Sequence, residues 1–217
     1  MKLSLFLSLI LLVSWKVKLK GIDLSTWDDV VYWDTLQSDV KFVILRAGYG
    51  RDNTDNLFEC YYKKWKQYNI PVGAYWYGKA QSVEEAEIEA KSFLKRLKGK
   101  QFEYPVYYDI EDKLMINTGK TTVSNMLEKF CTILENNKYY CGVYACKSNL
   151  DNYFTKRVLE KYDIWLAHYT SSTSYQGHTI WHYTDTGTWK GKPGDFDLNW
   201  RYYNYPPLIK SKHFNGY

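Results

Sequence analysis

The chain alternates between short apolar runs and longer amphipathic segments. Runs rich in β-branched and aromatic residues, such as 42–45 and 72–77, are typical of strands that are buried on both faces of a sheet. The segments between them carry apolar residues at helical spacing. This alternation predicts a parallel α/β sheet. The expected strands are 18–23, 41–47, 72–77, the run from Pro105, and 141–145, and the expected helices are 56–68, 82–97, 121–136 and 149–162.

The alternation of strands and helices ends after residue 162. Three strand-like runs follow, at 164–169, 179–183 and 196–198, and the links between them are too short for long helices. With five preceding strand–helix units, this order predicts an α/β fold of the modified TIM-type barrel class, (β/α)5(β)3. We expect one barrel domain at 18–205 and a loosely ordered C-terminal tail at 206–217.

The first residues have the pattern of a secretory signal peptide. Met1 and Lys2 precede an apolar run over 3–13, which is too short to span a bilayer. Residues 1–14 are therefore expected to be removed, although Leu12 fits a cut after Ser14 poorly. An uncleaved anchor or a buried first helix is the alternative. We expect a secreted, extracellular protein, or one delivered to a lysosome-like compartment, with no membrane contact after processing.

The cysteine pattern excludes the common zinc motifs. Cys60, Cys131, Cys141 and Cys146 contain no CxxC and match no zinc-binding spacing. In an oxidising compartment they could form two disulfides, or they could remain buried thiols. Either arrangement is structural rather than catalytic.

Composition narrows the class of partner. Aromatic residues make up 18% of the chain, including 22 Tyr and 9 Trp, and their flat faces with polar edges suit stacking on a sugar or a base. The net charge is +5, but no dense block of Lys and Arg marks a nucleic-acid interface. Nucleic acid is therefore not expected as a partner.

The candidate chemistry lies where one predicted strand ends in acid. Asp109 and Glu111 follow an apolar run and are two residues apart, so a strand would direct both side chains to the same face. Like charges this close disfavour joint ionisation, which raises the pKa of one carboxyl and keeps a proton available near neutral pH. The same pattern also fits a strand that ends in a solvated acidic turn.

Other predicted strand ends favour the catalytic interpretation. The chemistry of a (β/α) barrel lies at the carboxyl ends of its strands, and Asp23, Asp109, Glu111 and Asp197 all fall at such positions. A cluster of acids with aromatic walls suits glycoside hydrolysis. Because the acids and histidines form no His-rich motif, neither a metal nor a cofactor is expected. Further strand ends carry Arg46, Trp76, Tyr77, Tyr144, His168, Tyr169, His182 and Tyr183.

Seven short motifs follow one another along residues 21–199. They are Gly21-Ile22-Asp23-Leu24-Ser25 with Trp27, Phe42–Ala47, Pro71–Tyr75, Asp109-Ile110-Glu111, Trp165–Tyr169, Trp181-His182-Tyr183 and Asp197-Leu198-Asn199. Together they resemble the motifs of the glycoside hydrolase family 25 lysozymes, the Chalaropsis-type muramidases, and their order makes the likeness specific.

The resemblance implies a monomeric antibacterial lysozyme that hydrolyses the β-1,4 bond between N-acetylmuramic acid and N-acetylglucosamine in bacterial peptidoglycan. By position, Glu111 would be the general acid. Asp109 would be its catalytic partner, which positions the substrate N-acetyl group or stabilises charge. The other residues expected to bind substrate are Asp23, Asp197, Arg46, Trp76, Tyr77, Tyr144, Tyr169, Trp181 and His182.

Two departures from the family pattern accompany the likeness. Trp76 stands where the family would have His, and His182 stands where Gln is usual, which puts the preference for particular sugars in question. A chitinase of the other barrel family would need a D-x-x-D-x-D-x-E run, and Tyr107 occupies one of its acidic positions. The remaining alternative is a catalytically inactive barrel that binds cell-wall glycans, and the intact Glu111 favours an enzyme over it.

Overall fold

The computed structural model describes residues 18–28, 36–189 and 192–217. The predicted signal peptide lies outside these ranges. Among the residues within them, no helix is both long enough and apolar enough to cross a membrane.

The order of elements follows the predicted alternation closely. The helical region expected at 149–162 is divided into two short helices, and the last two strands are longer than predicted. The strands are β1 (Leu19–Leu24), β2 (Val43–Tyr49), β3 (Asn53–Thr54), β4 (Val72–Tyr77), β5 (Val106–Asp109), β6 (Cys141–Cys146), β7 (Asp163–Ala167), β8 (Ile180–Trp189) and β9 (Lys192–Arg201). The helices are α1 (Phe58–Gln67), α2 (Val83–Leu97), α3 (Lys113–Ile116), α4 (Lys120–Asn136), α5 (Lys147–Tyr153), α6 (Lys156–Lys161) and α7 (Tyr205–Ser211).

A closed barrel forms from all the strands except the two-residue β3, which pairs with the end of β2. Neighbouring strands are parallel from β1 through β2, β4, β5, β6 and β7 to β8. The last strand, β9, lies antiparallel between β8 and β1 and completes the ring. Helices follow β2, β4, β5 and β6, whereas β7, β8 and β9 succeed one another without an intervening helix. The predicted modified TIM-type barrel is confirmed.

The two faces of the strands bury two different sets of side chains. Along β5, Val106 and Tyr108 pack towards the helices, whereas Tyr107 packs with the inner cluster and Asp109 lines a cleft, as the two-residue period of a strand requires. The ring of Trp165 lies 4.5 Å from that of Tyr144 and 5.3 Å from that of Tyr107. Such pairs contribute about 0.5–1.5 kcal/mol each beyond their buried area. These packed rings fill the barrel interior and form an aromatic floor for the cleft.

One disulfide joins a helix to the barrel. Cys131 of α4 is bonded to Cys141 of β6, whereas Cys60 and Cys146 are free thiols. The structure thus has one disulfide rather than two, and neither free thiol is buried: Cys60 is exposed and Cys146 is partly exposed.

The end of the chain closes the bottom of the barrel. Helix α7 buries Tyr205 and Ile209 completely against the inner cluster. The Tyr205 hydroxyl lies 2.7 Å from both carboxylate oxygens of Asp163, at the start of β7. The expectation of a loosely ordered tail is therefore wrong. Pro206 and Pro207 lie in the first turn of a helix, where a missing N–H leaves no hydrogen bond unmade.

The residues after α7 are also fixed to the barrel. The side chain of Asn215 is fully buried. Its amide donates to the Tyr104 carbonyl at 2.8 Å, and its oxygen accepts from the Tyr140 N–H at 2.7 Å. Both polar ends of this buried side chain are satisfied, so it connects the C-terminus to the strands above it.

The C-terminal helix should contribute to global stability. We expect Ile209→Ala to lower the free energy of unfolding by about 2–5 kcal/mol, because it removes a fully buried side chain and leaves a cavity. Chemical denaturation measures the change. Ser211→Ala, at an exposed position of the same helix, is the control and should stay within about 0.5 kcal/mol. Equal effects of the two substitutions would contradict the packed position of α7.

Candidate active site

Strand register gathers the predicted acids at one mouth of the barrel. Asp109 ends β5 and pairs with Tyr77 of β4 and Tyr144 of β6. Asp23 lies near the end of β1 and pairs with Asp197 of β9. Because β9 runs antiparallel, a residue inside it reaches the mouth at which the parallel strands end. The register therefore brings together acids that are far apart in sequence.

A cleft opens at this mouth above the aromatic floor. The predicted residues Asp23, Asp109, Glu111, Tyr144, Tyr169, His182 and Asp197 line it, together with Tyr75 and Trp165. A larger groove lies between α5, α6 and residues 175–179, but it is lined by none of the predicted site residues. The acids and aromatic side chains of the cleft make it the candidate active site.

The cleft holds Asp109 and Glu111 in different surroundings. Asp109 is buried, and its Oδ1 has no hydrogen-bond partner among the described residues. Burial raises the pKa of Asp109 well above its usual range, and the charges of Glu111 and Asp23 raise it further. Glu111 lies just beyond the strand, where its side chain is exposed at the cleft. The surrounding protein raises the pKa of Glu111 as well, and Asp197 adds to the effect.

A buried amide fixes the carboxylate of Asp23. The side chain of Asn199 donates to Asp23 Oδ2 at 2.6 Å and accepts from the Trp165 ring N–H at 2.7 Å. Burial and the charge of Asp197 raise the pKa of Asp23 well above its usual range, although the Asn199 hydrogen bond and the charge of His182 oppose the shift. One residue of β9 thereby links β1 and β7 beneath the cleft.

His182 lies between the carboxylates of Asp23 and Asp197. Its Nε2 is 3.2 Å from Asp197 Oδ1, and its Nδ1 is 4.0 Å from Asp23 Oδ2. The Tyr144 hydroxyl lies 3.1 Å from Nδ1. Tyr169, about half exposed, packs against the imidazole in a T-shaped arrangement with 4.9 Å between the ring centroids. The imidazole is thus enclosed by acidic and phenolic groups.

Arg46 supports the cleft without lining it. Its Nε donates at 2.8 Å to Asp55, which also accepts from the Thr26 N–H at 2.9 Å. The salt bridge thus holds the loop after β1 against β2. Tyr77 is half-buried near the acids, and its pKa is raised by burial and then by the charges of Asp109 and Glu111.

Two predicted substrate contacts face away from the cleft. Trp76 is fully buried against Phe93 on the helix side of β4, and its ring N–H donates to the Gly50 carbonyl. Trp181 packs in the same outer cluster and donates to the carbonyl of His168. We therefore exclude both Trp residues from the set that can touch a substrate. The family departure at Trp76 then bears on packing and not on sugar preference.

Three residues of the site are not among those predicted from the sequence. Tyr75 and Trp165 line the cleft, and Asn199 holds Asp23 beneath it. The two-residue period would have identified Tyr75, because inward Tyr77 requires Trp76 to face outwards and Tyr75 inwards. Trp165 and Asn199 stood in the quoted motifs, but no pattern in the sequence assigned them a contact.

A cation could be considered between Asp23, His182 and Asp197. Among the described residues, these three form the one group of at least three potential ligands, with atoms within 4.8 Å of one another. However, Nε2 of His182 also faces the Thr184 carbonyl at 3.0 Å, so it must carry a proton to make that hydrogen bond. A protonated Nε2 is not a metal ligand, so a cation could use only Nδ1 of this ring, which already faces the Tyr144 hydroxyl at 3.1 Å, and we assign no metal here.

Acids of raised pKa beside aromatic walls, at the mouth of a barrel, are the groups that glycoside hydrolysis needs as a proton donor and for charge stabilisation of an oxocarbenium-like transition state. Fold and cleft together define the class as a barrel glycoside hydrolase. The sequence profile described as "Glycosyl hydrolases family 25" matches residues 22–192. The chain belongs to this family.

Individual relatives are distant but cover most of the chain. An autolytic lysozyme of Clostridium acetobutylicum is 24% identical over 190 residues, which span 83% of this chain and 55% of the relative. A family 25 glycosyl hydrolase from Bacillus anthracis has a TM-score of 0.75 at 22% identity, covering 91% of this chain and 93% of that one. The modular autolysin LytC of Streptococcus pneumoniae, in complex with a synthetic peptidoglycan ligand, has a TM-score of 0.76 at 24% identity, with coverages of 88% and 48%. At these identities the structures share the fold.

The coupling between Asp109 and Glu111 can be measured directly. We expect Glu111→Gln to lower the pKa of Asp109, because it removes a like charge, but the pKa should stay above about 3.9 because burial remains. Carboxyl ¹³C NMR titration measures it. Asp185→Asn, at an exposed position of β8, should leave the pKa of Asp109 in place. An unchanged Asp109 titration in Glu111→Gln would contradict the geometry of the pair.

Proposed function

We propose that this glycoside hydrolase is a lysozyme that cleaves the β-1,4 bond between N-acetylmuramic acid and N-acetylglucosamine in bacterial peptidoglycan. The single observation that carries the proposal is the pair Asp109 and Glu111 in a cleft with two further acids. Family membership supports the class of reaction. The names of the Clostridium lysozyme and of the LytC complex support peptidoglycan as the substrate.

Glu111 is the general acid of this proposal. Its side chain is open to the cleft, so the oxygen of a leaving sugar can reach it. Its raised pKa keeps the carboxyl protonated to a higher pH than an ordinary glutamate. The shift arises from the enclosing protein and from Asp197, partly offset by His182. Glu111 therefore combines access to the cleft with an upward-shifted pKa, which are the two properties that favour a proton donor.

Asp109 is the partner that holds the substrate. Its buried Oδ1 has no hydrogen-bond partner among the described residues, and a buried acceptor in this condition costs about 1–3 kcal/mol. The N–H of a substrate acetamido group can satisfy it. Both sugars of the peptidoglycan backbone carry such a group, so this contact favours N-acetylated glycans over plain glucans.

The remaining residues contribute negative charge and one aromatic wall to the binding site. Asp197, and Asp23 when it is ionised, supply negative charge near the sugar ring on which positive charge develops. Tyr144 and Tyr169 present aromatic surface beside these acids, and the half-exposed ring of Tyr169 is available for stacking on a sugar.

The net charge and the predicted signal peptide support a proposal for where the reaction takes place. A net charge of +5 favours association with anionic wall polymers. We propose secretion through the predicted signal peptide and action outside the cell, or in a lysosome-like compartment, as a monomer. The competing role, a barrel that binds cell-wall glycans without cutting them, is disfavoured because the carboxylate pair is intact.

Removal of the general acid tests the proposal. We expect Glu111→Gln to lower the release of reducing sugar from purified peptidoglycan by about 10²–10⁴-fold, because the amide cannot donate the required proton. Glu160→Gln, on exposed α6, is the matched control and should cleave at the wild-type rate.

Binding to insoluble walls, measured in parallel by co-sedimentation, separates the two roles. Retained binding without cleavage in Glu111→Gln supports the assignment of the acid. A wild-type protein that binds walls without releasing reducing sugar would support the binding role instead. A Glu111→Gln variant as fast as wild type would overturn the role of Glu111.

A further inference from the structure

The imidazole of His182 is enclosed by groups that favour a positive charge. Its side chain is almost fully buried, and its two nitrogens face different partners. Nε2 lies 3.2 Å from Asp197 Oδ1 and 3.0 Å from the Thr184 carbonyl oxygen. Nδ1 lies 3.1 Å from the Tyr144 hydroxyl and 4.0 Å from Asp23 Oδ2.

These partners determine where the protons of the ring reside. A carboxylate and a carbonyl oxygen only accept, so Nε2 carries a proton in both charge states. The Tyr144 hydroxyl can either donate to Nδ1 or accept from it, so Nδ1 is the nitrogen that gains or loses a proton. Each charge state can be hydrogen-bonded, and the two nearby carboxylates favour the charged one.

We propose that His182 is a positioning residue that acts as an imidazolium: it holds Asp197 and Asp23 in place by charge and shifts the working pH range of the acid cluster downwards. The link to the reaction rests on the proposed function, whereas the charge of the ring does not. The family resemblance does not imply this role, because it leads one to expect an uncharged Gln at position 182.

The groups packed around the ring come from every neighbouring element. Asp23 faces it from β1, Asp197 from β9, Tyr144 from β6 and Tyr169 from the segment after β7. Burial alone lowers the pKa of His182, but the carboxylates more than offset this, and the net shift is upwards. In return, the imidazolium lowers the pKa of Glu111, across the cleft, and that of Asp23.

A positive charge on His182 should shift the pH profile of hydrolysis to lower pH. Glycoside hydrolysis needs one ionised carboxylate, which sets the acidic limb of the pH profile, and one protonated acid, which sets the alkaline limb. A nearby positive charge stabilises the ionised form of both groups. It therefore moves both limbs to lower pH, and its removal should move both limbs to higher pH.

His182→Gln tests the role of the charge while preserving the hydrogen bonds. The amide of Gln can still donate towards Asp197, and its oxygen can still accept from Tyr144, but the side chain has no charge. We expect both limbs of the kcat/KM profile on peptidoglycan to rise by about one pH unit. His168→Gln, half-buried on the same side of the barrel and bonded to Thr173, is the matched control and should leave both limbs in place. If kcat/KM of His182→Gln were lower at every pH but both limbs stayed at their wild-type pH values, the proposal would be overturned.

A readout that needs no catalysis separates this inference from the proposed function. In the wild-type protein, NMR titration of the His182 ring should give a pKa above about 6.5, and Asp197→Asn should lower it. A ring that stays neutral at pH 6 would overturn the proposal even in an active enzyme. If the ring is charged but no peptidoglycan is cleaved, the proposed reaction fails and the charge state of His182 stands.

Discussion

The site depends on the antiparallel strand that closes the barrel. A fully parallel barrel would place chemistry only after the strand ends, but β9 enters from the opposite direction and contributes residues from within a strand. In the register of β9, Asp197 pairs with Asp23 of β1 on one side, and Asn199 pairs with His182 of β8 on the other side. Asn199, which is fully buried, then joins Asp23 to Trp165 through one amide. Without this strand, the cleft would lack Asp197, and Asp23 would lose its hydrogen bond from Asn199.

The aromatic floor explains why the acids have unusual proton affinities. Rings of Tyr75, Tyr144 and Trp165 line the cleft directly beside the carboxylates, so little water can solvate the ionised forms. The resulting upward pKa shifts of Asp23 and Asp109 mean that their ionisation opposes folding. The stability associated with their protonated forms is present at low pH and declines as the pH rises past their usual range. The surrounding protein raises the pKa of Glu111 as well.

Much of this arrangement could be predicted from the sequence because it follows short-range rules. Apolar runs and helical spacing located the barrel strands, and the strand ends located Asp109 and Glu111. The same alternation rule, applied strictly, would have turned Trp76 and Trp181 towards the outside. The C-terminal helix was missed because Pro206 and Pro207 mark both a turn and the first turn of a helix.

Other features depend on contacts between distant parts of the chain. The hydrogen bonds of Asn199 require the closed ring, and no local pattern indicates them. The half of β8 beyond Tyr183 is rich in polar residues and much of it is exposed, so no apolar run marks it, and the strands predicted from the sequence are shorter than those of the β8–β9 hairpin. The position of His182 between two acids likewise arises only once β8, β9 and β1 are neighbours.

The identity of the new reducing end is the most direct test of the central claim, which is that this acidic cleft cuts after N-acetylmuramic acid. Purified peptidoglycan is digested with the wild-type protein, reduced with borohydride and hydrolysed, and the reduced amino sugar is identified by chromatography and mass. We expect the alcohol derived from muramic acid. The alcohol derived from glucosamine would contradict it, because the enzyme would then be a glucosaminidase that cuts the alternate bond.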